Sequence, residues 1–343
     1  MNRRHTTLVT GGAGFIGSNF VERLFDRTDD DIVVLDVFTY AASPDNIPER
    51  IMASPRFKLV RGDIRDVEVV AGLMAEATRV VHFAAESHVT RSIVDDKPFF
   101  ETDVMGTQTI AAAISRNMSH IEKFVHISTS EVYGTAVRAP MDEDHPLNPC
   151  TPYAAAKAGA DRLVYAYRET YNIPTVIIRP FNNYGPKQHL EKLIPRFITS
   201  AILGEPLTVH GDGQMTRDWI FVRDTCEAVL RALMSEKTTG HVINLGTGAD
   251  TSVMVIARSI LSMVGAPTSL IRHVAARPGQ VDRHISSTEK AVELLGWRTS
   301  KDLASGLQET VKWYRDNRGW WDKHRVTAQI EITDSSRGLS GSY

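Results

Sequence analysis

The chain has 343 residues, of which 42% are hydrophobic and 23% charged, the composition of a globular protein large enough to bury a substantial core. Its 39 basic and 41 acidic side chains nearly balance, so the overall charge does not indicate a nucleic-acid or membrane partner. The two cysteines are too few for a disulfide framework, no apolar run is long enough to span a bilayer, and the N-terminus lacks a secretory apolar region, so a cytoplasmic protein is expected.

The N-terminal segment predicts a dinucleotide site. A short strand at 7–10 leads into the glycine-rich turn GGAGFIG at 11–17 and then a helix over SNFVERLF. Such glycines let the backbone approach a pyrophosphate, and the helix N-terminus offers free N–H groups. The next predicted strand, IVVLD, ends in Asp36, 19 residues after Gly17. A carboxylate there accepts from the adenosine ribose hydroxyls and repels a 2′-phosphate, which favours NAD over NADP.

Further strands alternate with helices along the first half of the chain. Strands are predicted at 57–60, 79–83, 124–128 and 175–180, and long helices at 99–115 and 152–170. This alternation predicts an α/β fold with a Rossmann-type, doubly wound parallel sheet. Ala84 and Ala85, after the second of these strands, suit a cofactor lying across the sheet edge, or alternatively close helix–sheet packing.

The second half is less regular and predicts a smaller lobe interleaved with the sheet. Helices are expected at 193–203 and 253–264, a strand and turn at 206–213, a short strand and helix over 219–234, a strand at 242–246, and a closing segment from 294 to 313. We therefore expect a Rossmann domain over 1–180 and a substrate lobe over 181–325, with segments around 242–264 returning to the Rossmann domain. Residues 326–343 are rich in Ser and Gly, and we expect them to form a poorly ordered tail.

The segment from 125 to 157 carries the residues suited to catalysis. Tyr153 and Lys157 are four positions apart and so share one face of a helix. An ammonium group beside a phenol is expected to lower the phenol pKa from its ordinary value of about 10, and the phenolate is a base that can deprotonate a sugar hydroxyl. Glu131 follows a predicted core strand, where it is either a second base or a structural carboxylate.

Together these motifs resemble a known family. GGAGFIG with Asp36, TSEVYG at 129–134 and YxxxK at 153–157 are similar to the extended short-chain dehydrogenase/reductases that act on nucleotide sugars, over about residues 6–320. Within that group the chain is most similar to the dTDP-glucose 4,6-dehydratases. The segments that carry this likeness are LDVFTYA (35–41), RGDIRD (61–66), HFAAESHVTRSI (82–93), NNYGP (182–186), EKLIP (191–195), GDGQMTRDW (211–219) and ARPGQVDR (276–283).

The resemblance implies a nucleotide-sugar lyase with NAD as a recycled cofactor. Tyr153 would deprotonate O4, Lys157 would hold the phenolate and the nicotinamide ribose, and Thr129 or Ser128 would bind O4. Glu131 would then remove the C5 proton, water would leave across C5–C6, and hydride would return to C6. The implied cofactor-binding residues are Gly11, Gly14, Phe15, Ile16, Gly17, Asp36, Asp63, Ile64, Ala84, Ala85, Ser87, Tyr153 and Lys157. The implied substrate-binding residues are Ser87, Asn182, Lys192, Leu193, Arg217 and Arg277. The family also implies a homodimer, formed through helices near 99–116 and 152–170.

One position departs from the dehydratase pattern and leaves alternatives open. The usual triplet is Thr-Asp-Glu, in which the Asp is the acid for the departing C6 hydroxyl, whereas this chain has Ser130. Thr-Ser-Glu is similar to GDP-mannose 4,6-dehydratases and to UDP-glucuronate decarboxylases. Ser130 could relay a proton from water, Glu131 could return the proton it took, or Ser130 could only pack. A decarboxylase would need no acid at C6, and Arg91 could hold its substrate carboxylate.

Two further alternatives remain. A C4 epimerase would have no use for a base near C5, and a non-catalytic protein that binds NAD or nucleotide sugar would not need the complete set of Thr129, Glu131, Tyr153 and Lys157. Arg217 could pair with Asp218 or Asp224 instead of phosphate, and Arg277 could be a solvated loop charge. The twelve His show no metal-site spacing, so no metal is expected. The residues expected in the core or packed behind the site are His82, His126, Trp297, Trp313 and Trp320.

Overall fold

A computed structural model describes residues 4–276 and 279–325, together with the backbone of Glu331–Asp334 and Leu339–Ser342. The strands are β1 (Thr6–Thr10), β2 (Asp31–Asp36), β3 (Phe57–Arg61), β4 (Arg79–His82), β5 (Lys123–Ile127), β6 (Thr175–Pro180), β7 (Asn182–Tyr184), β8 (Leu207–His210), β9 (Thr216–Phe221), β10 (Val242–Leu245), β11 (Asp250–Ser252), β12 (Ile271–Val274), β13 (Glu331–Asp334) and β14 (Leu339–Ser342).

The helices flank these strands along the whole chain. They are α1 (Phe15–Arg27), α2 (Glu49–Met52), α3 (Val67–Met74), α4 (Val89–Val94), α5 (Lys97–Phe99), α6 (Thr107–Arg116), α7 (Pro152–Tyr171), α8 (Leu193–Leu203), α9 (Val222–Met234), α10 (Val253–Val264), α11 (Glu289–Leu295), α12 (Leu303–Asp316) and α13 (Arg318–Asp322). A π-helical segment, Phe100–Gly106, joins α5 to α6. Within the described ranges no helix is both long and apolar enough to cross a bilayer.

Seven strands form one parallel sheet in the order β10-β6-β5-β4-β1-β2-β3. The predicted α/β fold is therefore confirmed, and the predicted strand ends agree with the observed ones within one residue. Neighbouring residues on a strand point to opposite faces. Val9 accordingly packs with Phe20 of α1 on one face, whereas Leu8 packs with Ile110 of α6 on the other. Both faces are covered, as expected for parallel strands made of continuous apolar runs.

The smaller lobe has its own core. Helices α8, α10 and α12 pack with β8 and β9 around buried residues that include Phe197, Ile256 and Tyr314. From the sequence we expect residues 242–264 to return to the Rossmann domain, whereas in the structure only the first part of this segment does so. Strand β10 is the edge strand beside β6, but α10 packs in the lobe. Helix α9 falls within the range expected for the lobe, but it packs against α1 of the Rossmann domain.

Two small observations complete the comparison with the sequence. Trp297 is buried in the core around α1 and α9, and Trp313 and Trp320 pack against the lobe core, so their predicted packing role is confirmed. Residues 326–343 were expected to lack regular structure, whereas β13 and β14 form a short antiparallel pair there.

A buried ion pair fixes β6 to the helix that carries the candidate catalytic residues. The Arg179 guanidinium donates to both carboxylate oxygens of Asp161 on α7, at 2.8 and 2.9 Å, and also to the Tyr133 hydroxyl at 2.9 Å. Arg179 and Asp161 are almost completely buried, and Arg179 holds the pKa of Asp161 well below its usual range. The two-pronged geometry sets the orientation of α7 as well as its distance from the sheet.

Two histidines lie in the sheet core, which confirms their predicted location. His126 is fully buried and neither ring nitrogen has a hydrogen-bond partner within the described ranges. Burial lowers the pKa of His126 well below its usual value and that of His82 to about 3. Both rings are therefore neutral in the folded protein at pH values where they are protonated in the unfolded chain.

This difference predicts acid instability. Below about pH 6.5 the unfolded chain binds protons that the folded protein excludes, so the free energy of unfolding should fall by up to about 1.4 kcal/mol per pH unit for each such histidine. His126→Leu removes one of them and should show a shallower decrease in Tm between about pH 7 and pH 5. Thermal unfolding of both proteins across this range tests the prediction, and equal slopes would contradict it.

Candidate active site

A cavity of about 590 Å³ runs along the carboxyl ends of the central strands and reaches into the smaller lobe. This is the edge where parallel α/β sheets bind ligands. Every residue predicted for the site lines the cavity, apart from Ser130 and Arg277. Ser130 lies behind the wall, and Arg277 falls outside the described residues.

The glycine-rich turn forms one end of this cavity. Gly11 has a positive φ of 67°, and a Cβ there would lie 2.5 Å from the Ala84 nitrogen, so only glycine fits. A Cβ on Gly17 would lie 2.2 Å from the Gly11 oxygen. Helix α1 begins at Phe15 with no side-chain cap, because Gly14 is the capping residue. The first N–H groups of α1 are therefore left for an anion such as a pyrophosphate.

Asp36 closes the same end of the cavity. Its carboxylate accepts hydrogen bonds from the backbone nitrogens of Ala13 and Phe38, at 3.0 and 2.9 Å. Burial raises the pKa of Asp36, and these backbone donors oppose that effect. Each carboxylate oxygen keeps a second lone pair, so the group can still accept from ribose hydroxyls.

Nearby, Asp63 lines the cavity but is already paired. Arg65 donates to its carboxylate at 2.7 Å and lowers its pKa. Arg65 also lines the cavity and was not predicted from the sequence. We therefore extend the predicted cofactor-binding residue Asp63 to the pair of Asp63 and Arg65.

Helix α7 brings Tyr153 and Lys157 to the middle of the cavity. Its first turn is capped by Thr151, which accepts from the Ala154 nitrogen, and the Tyr153 nitrogen donates to the Ser92 hydroxyl at 3.1 Å. Lys157 Nζ donates to the Ile127 carbonyl, the last residue of β5, at 2.8 Å. The helix start and the strand end are thereby joined through the ammonium group.

The expected lowering of the Tyr153 pKa by Lys157 is wrong for this structure. Burial raises the pKa of Tyr153 above its ordinary value, Asp103 and Glu131 add to the increase, and only a hydrogen bond with Thr129 opposes it. The physical reason is that Lys157 is directed to the β5 carbonyl and that the phenol is deeply buried.

Asp103 is a buried acid at this site that the sequence did not reveal. It lies on the π-helical segment, a kind of helix irregularity often found at functional sites. Its Oδ1 accepts from the Glu86 nitrogen at 2.8 Å, and burial raises its pKa to about 7. Asp103 raises the pKa of Lys157 and so opposes the effect of burial on the ammonium group. The sequence signal for Asp103 is only its place within the helix predicted at 99–115.

The side chains of the triplet Thr129-Ser130-Glu131, which follows β5, point in two different directions. Thr129 accepts from the Glu131 nitrogen at 3.2 Å and begins a 3₁₀ turn, Ser130–Tyr133. Thr129 and Glu131 line the cavity, whereas Ser130 is 2% exposed and directs Oγ to Nδ1 of His284, 3.4 Å away. Glu131 is thus the one ionisable side chain of the triplet that faces the cavity, and the Ser130 hydroxyl does not reach the cavity.

The lobe supplies polar groups from the other side. Asn182 Oδ1 is buried without a hydrogen-bond partner among the residues described, and Lys192 Nζ donates to the Ser87 carbonyl at 2.5 Å. Leu193 lies beside Lys192 at the start of α8 and also lines the cavity.

Arg217 is a buried cation on this wall. It is 8% exposed, and burial lowers its pKa. Pairing with Asp218 or Asp224 does not occur: Asp218 accepts from Thr247 and Ser286, and Asp224 accepts from the segment at 300–301. Across residues 4–276 and 279–325, none of the ion pairs involves Arg217. A buried guanidinium of this kind suits a diphosphate.

Arg91 does not fit the role considered for it. Its guanidinium stacks on the Tyr40 ring at 3.9 Å, and Nε lies 3.5 Å from a carboxylate oxygen of Glu191. Arg91 does not line the cavity. The structure therefore gives no support to Arg91 as the partner of a substrate carboxylate.

Comparisons with known proteins show which family and which relatives the chain is similar to. The profile of the family described as GDP-mannose 4,6 dehydratase matches residues 8–310. The chain is 47% identical to the low-salt glycan biosynthesis protein Agl12 of Haloferax volcanii, over 90% of this chain and 97% of that protein. It is 42% identical to a dTDP-glucose 4,6-dehydratase of Actinoplanes sp., over 92% and 99%. Among solved structures, DesIV, a dTDP-glucose 4,6-dehydratase from Streptomyces venezuelae with NAD and TYD bound, superposes with a TM-score of 0.90 at 41% identity, covering 93% of this chain and 100% of that one.

Proposed function

Since the chain belongs to the GDP-mannose 4,6-dehydratase family, we propose that it is an NAD-dependent nucleotide-sugar 4,6-dehydratase that forms a 4-keto-6-deoxy sugar. The observation that carries the proposal is one cavity wall that holds both Tyr153, suited to oxidation at C4, and Glu131, suited to proton removal at C5. A simple alcohol dehydrogenase would need only the first of these residues.

The residues present fit NAD. The turn at 11–17 leaves open helix N–H groups for the pyrophosphate, and Asp36 offers carboxylate lone pairs to the adenosine ribose. When bound, NAD supplies the hydride acceptor for C4 and the hydride donor for C6. Lys157 is placed to hold the nicotinamide ribose, and Ala84, Ala85 and Ser87 form the adjoining wall.

In the first step Tyr153 takes the O4 proton. Because burial raises the pKa of Tyr153 and Lys157 Nζ is directed to the Ile127 carbonyl, the phenolate would need the positive charge of the oxidised nicotinamide in addition to that of Lys157. Asp103 and Asp161 both favour the charged form of Lys157. Thr129, which is hydrogen-bonded to Tyr153, is placed to orient O4.

In the second step Glu131 takes the C5 proton, which the C4 ketone has made acidic. The C5–H electron pair moves into the ketone, and the same carboxyl group then gives its proton to the C6 hydroxyl as the C6–O bond breaks and water leaves. A hydride returned to C6 by bound NAD would leave an enolate that needs a proton at C5, and Tyr153 would give it the proton that it took from O4, which regenerates the phenolate. These steps do not require Ser130 to act as an acid.

The lobe would bind the nucleotide diphosphate. Arg217 and Lys192 provide positive charge, Asn182 provides a buried acceptor, and Leu193 an apolar contact. Arg277 belongs to this set by resemblance.

We also propose a homodimer through the helical surfaces near 99–116 and 152–170, where Phe100, Met105 and Tyr165 are exposed. A cytoplasmic location fits an enzyme whose two cysteines are unpaired.

A substrate panel tests this function. The purified protein is incubated with dTDP-, UDP-, GDP- and CDP-hexoses, starting with dTDP-glucose because relatives at 42% and 41% identity carry that activity in their names. We expect mass spectrometry to show loss of one water from one of these sugars with no net consumption of NAD. Loss of carbon dioxide would identify a decarboxylase, and an isomer of unchanged mass an epimerase. Binding without any product would overturn the enzymatic proposal.

A further inference from the structure

The dehydration step requires Glu131 to be a strong base and then a well-oriented acid. The usual second acid of the triplet is absent, and Ser130 faces away from the cavity. A side chain that positions Glu131 must therefore come from another part of the chain. The candidate is His284, which contacts Ser130 from 154 positions away in sequence.

The hydrogen bonds of His284 define the form of its ring. Nε2 lies 2.8 Å from the Gly134 carbonyl oxygen, which can only accept, so Nε2 carries the hydrogen. In the neutral ring Nδ1 is then an acceptor. Nδ1 is 3.4 Å from Ser130 Oγ and 4.0 Å from Glu131 Oε1. The Nδ1 lone pair is thus directed to the Ser130 hydroxyl, whereas the Glu131 carboxylate lies beyond hydrogen-bond distance.

The surroundings keep this ring neutral. His284 is completely buried, and burial lowers its pKa, with Arg217 acting in the same direction. Glu131 and Asp218 act in the opposite direction but do not outweigh burial. The ring also meets Phe181 edge-on, with centroids 5.9 Å apart.

The ring is held in place by its own segment. The carbonyls of Arg283 and Ile285, on either side of His284, accept from the nitrogens of Ala136 and Met141. This part of the chain is therefore bonded to the loop that follows the catalytic triplet. Its position does not depend on Ser130 or Glu131.

We propose that His284 is a positioning residue for Glu131. Its two ring nitrogens contact the Ser130 hydroxyl and the Gly134 carbonyl, at the two ends of the 3₁₀ turn that carries Glu131. The ring thereby holds the turn, and the turn holds the Glu131 carboxylate towards the cavity, where it has to reach C5–H and then the C6 hydroxyl. This inference rests on the proposed dehydratase function.

The test uses His284→Phe, which keeps the ring size and removes both nitrogens, with His284→Gln as the conservative variant. We expect the oxidation half-reaction, followed by nicotinamide absorbance in a single turnover, to change by less than about twofold, while dehydration slows by roughly tenfold or more. His284→Gln, which retains a donor and an acceptor, should recover part of the lost dehydration rate.

Other outcomes would overturn the proposal. A His284→Phe variant with unchanged dehydration would exclude the role, and so would parallel losses in oxidation, dehydration and Tm that His284→Gln does not relieve. If His284→Phe fails to fold, the ratio of the dehydration rate to the oxidation rate in His284→Gln, compared with the wild type, decides alone. Ser130→Ala should have a smaller effect than His284→Phe. Failure of the proposed function is distinguishable, because the wild type itself would then form no dehydrated product.

Discussion

Replacing Tyr153 by Phe is expected to abolish turnover while NAD remains bound. Phe keeps the ring that packs against Phe99 and loses only the hydroxyl that would accept the O4 proton. The loss of a general base usually costs a factor of about 10² to 10⁴ in rate. Because oxidation at C4 precedes every later step, no nicotinamide reduction should be seen in a single turnover, and no product by mass spectrometry.

The control for this variant lies on the same helix. Tyr171, the last residue of α7, is 54% exposed and lies outside the cavity, so Tyr171→Phe should keep wild-type turnover. NAD binding, measured by calorimetry, should be equal in both variants. Turnover retained by Tyr153→Phe would remove the phenol from the mechanism, and loss of NAD binding would show that the hydroxyl has a structural role instead.

Replacing Glu131 by Gln is expected to allow oxidation and to stop the reaction afterwards. Gln has nearly the same shape, and its neutral amide cannot take the C5 proton. Bound NADH should therefore accumulate to a large fraction of the enzyme, while the product rate falls by a factor of about 10² or more. Rapid mixing with nicotinamide absorbance, followed by mass spectrometry of the quenched sugar, measures both quantities.

A matched acidic residue serves as the comparison. Glu122 has a side chain that is 51% exposed and lies at the opposite end of the strands, so Glu122→Gln should behave as wild type. An unchanged product rate in Glu131→Gln would remove Glu131 from the reaction. Failure to reduce NAD at all would show that Glu131 is needed for the first step rather than the second.

The sequence predicted the parts of the site that depend on local spacing. The turn at 11–17 and Asp36 belong to one strand–helix–strand unit, and Tyr153 and Lys157 to one helical turn, so their neighbours in sequence are also their neighbours in space. Parallel strands then place all of these at one edge of the sheet. The strand ends were predictable for the same reason, because continuous apolar runs separated by helices leave little choice.

The features that the sequence did not reveal depend on distant segments or on side-chain direction. His284 reaches Ser130 from 154 positions away, and no local pattern marks such a contact. The direction of Ser130, away from the cavity, follows from the 3₁₀ turn, which spacing alone does not specify. Lys157 shares a helix face with Tyr153 as predicted, but its ammonium group meets the Ile127 carbonyl, and that choice depends on the packing of α7 against β5.

The bond from Lys157 to the Ile127 carbonyl has a consequence for redesign. Together with the Arg179–Asp161 pair it fastens α7 to β5 and β6. Tyr153 and Lys157 are therefore held to the strand end before Thr129 by bonds within the Rossmann domain. The substrate range could then be altered by exchanging lobe side chains such as Leu193, with the same bond-making steps retained. Enzymes acting on new sugars could in this way be obtained by altering recognition alone.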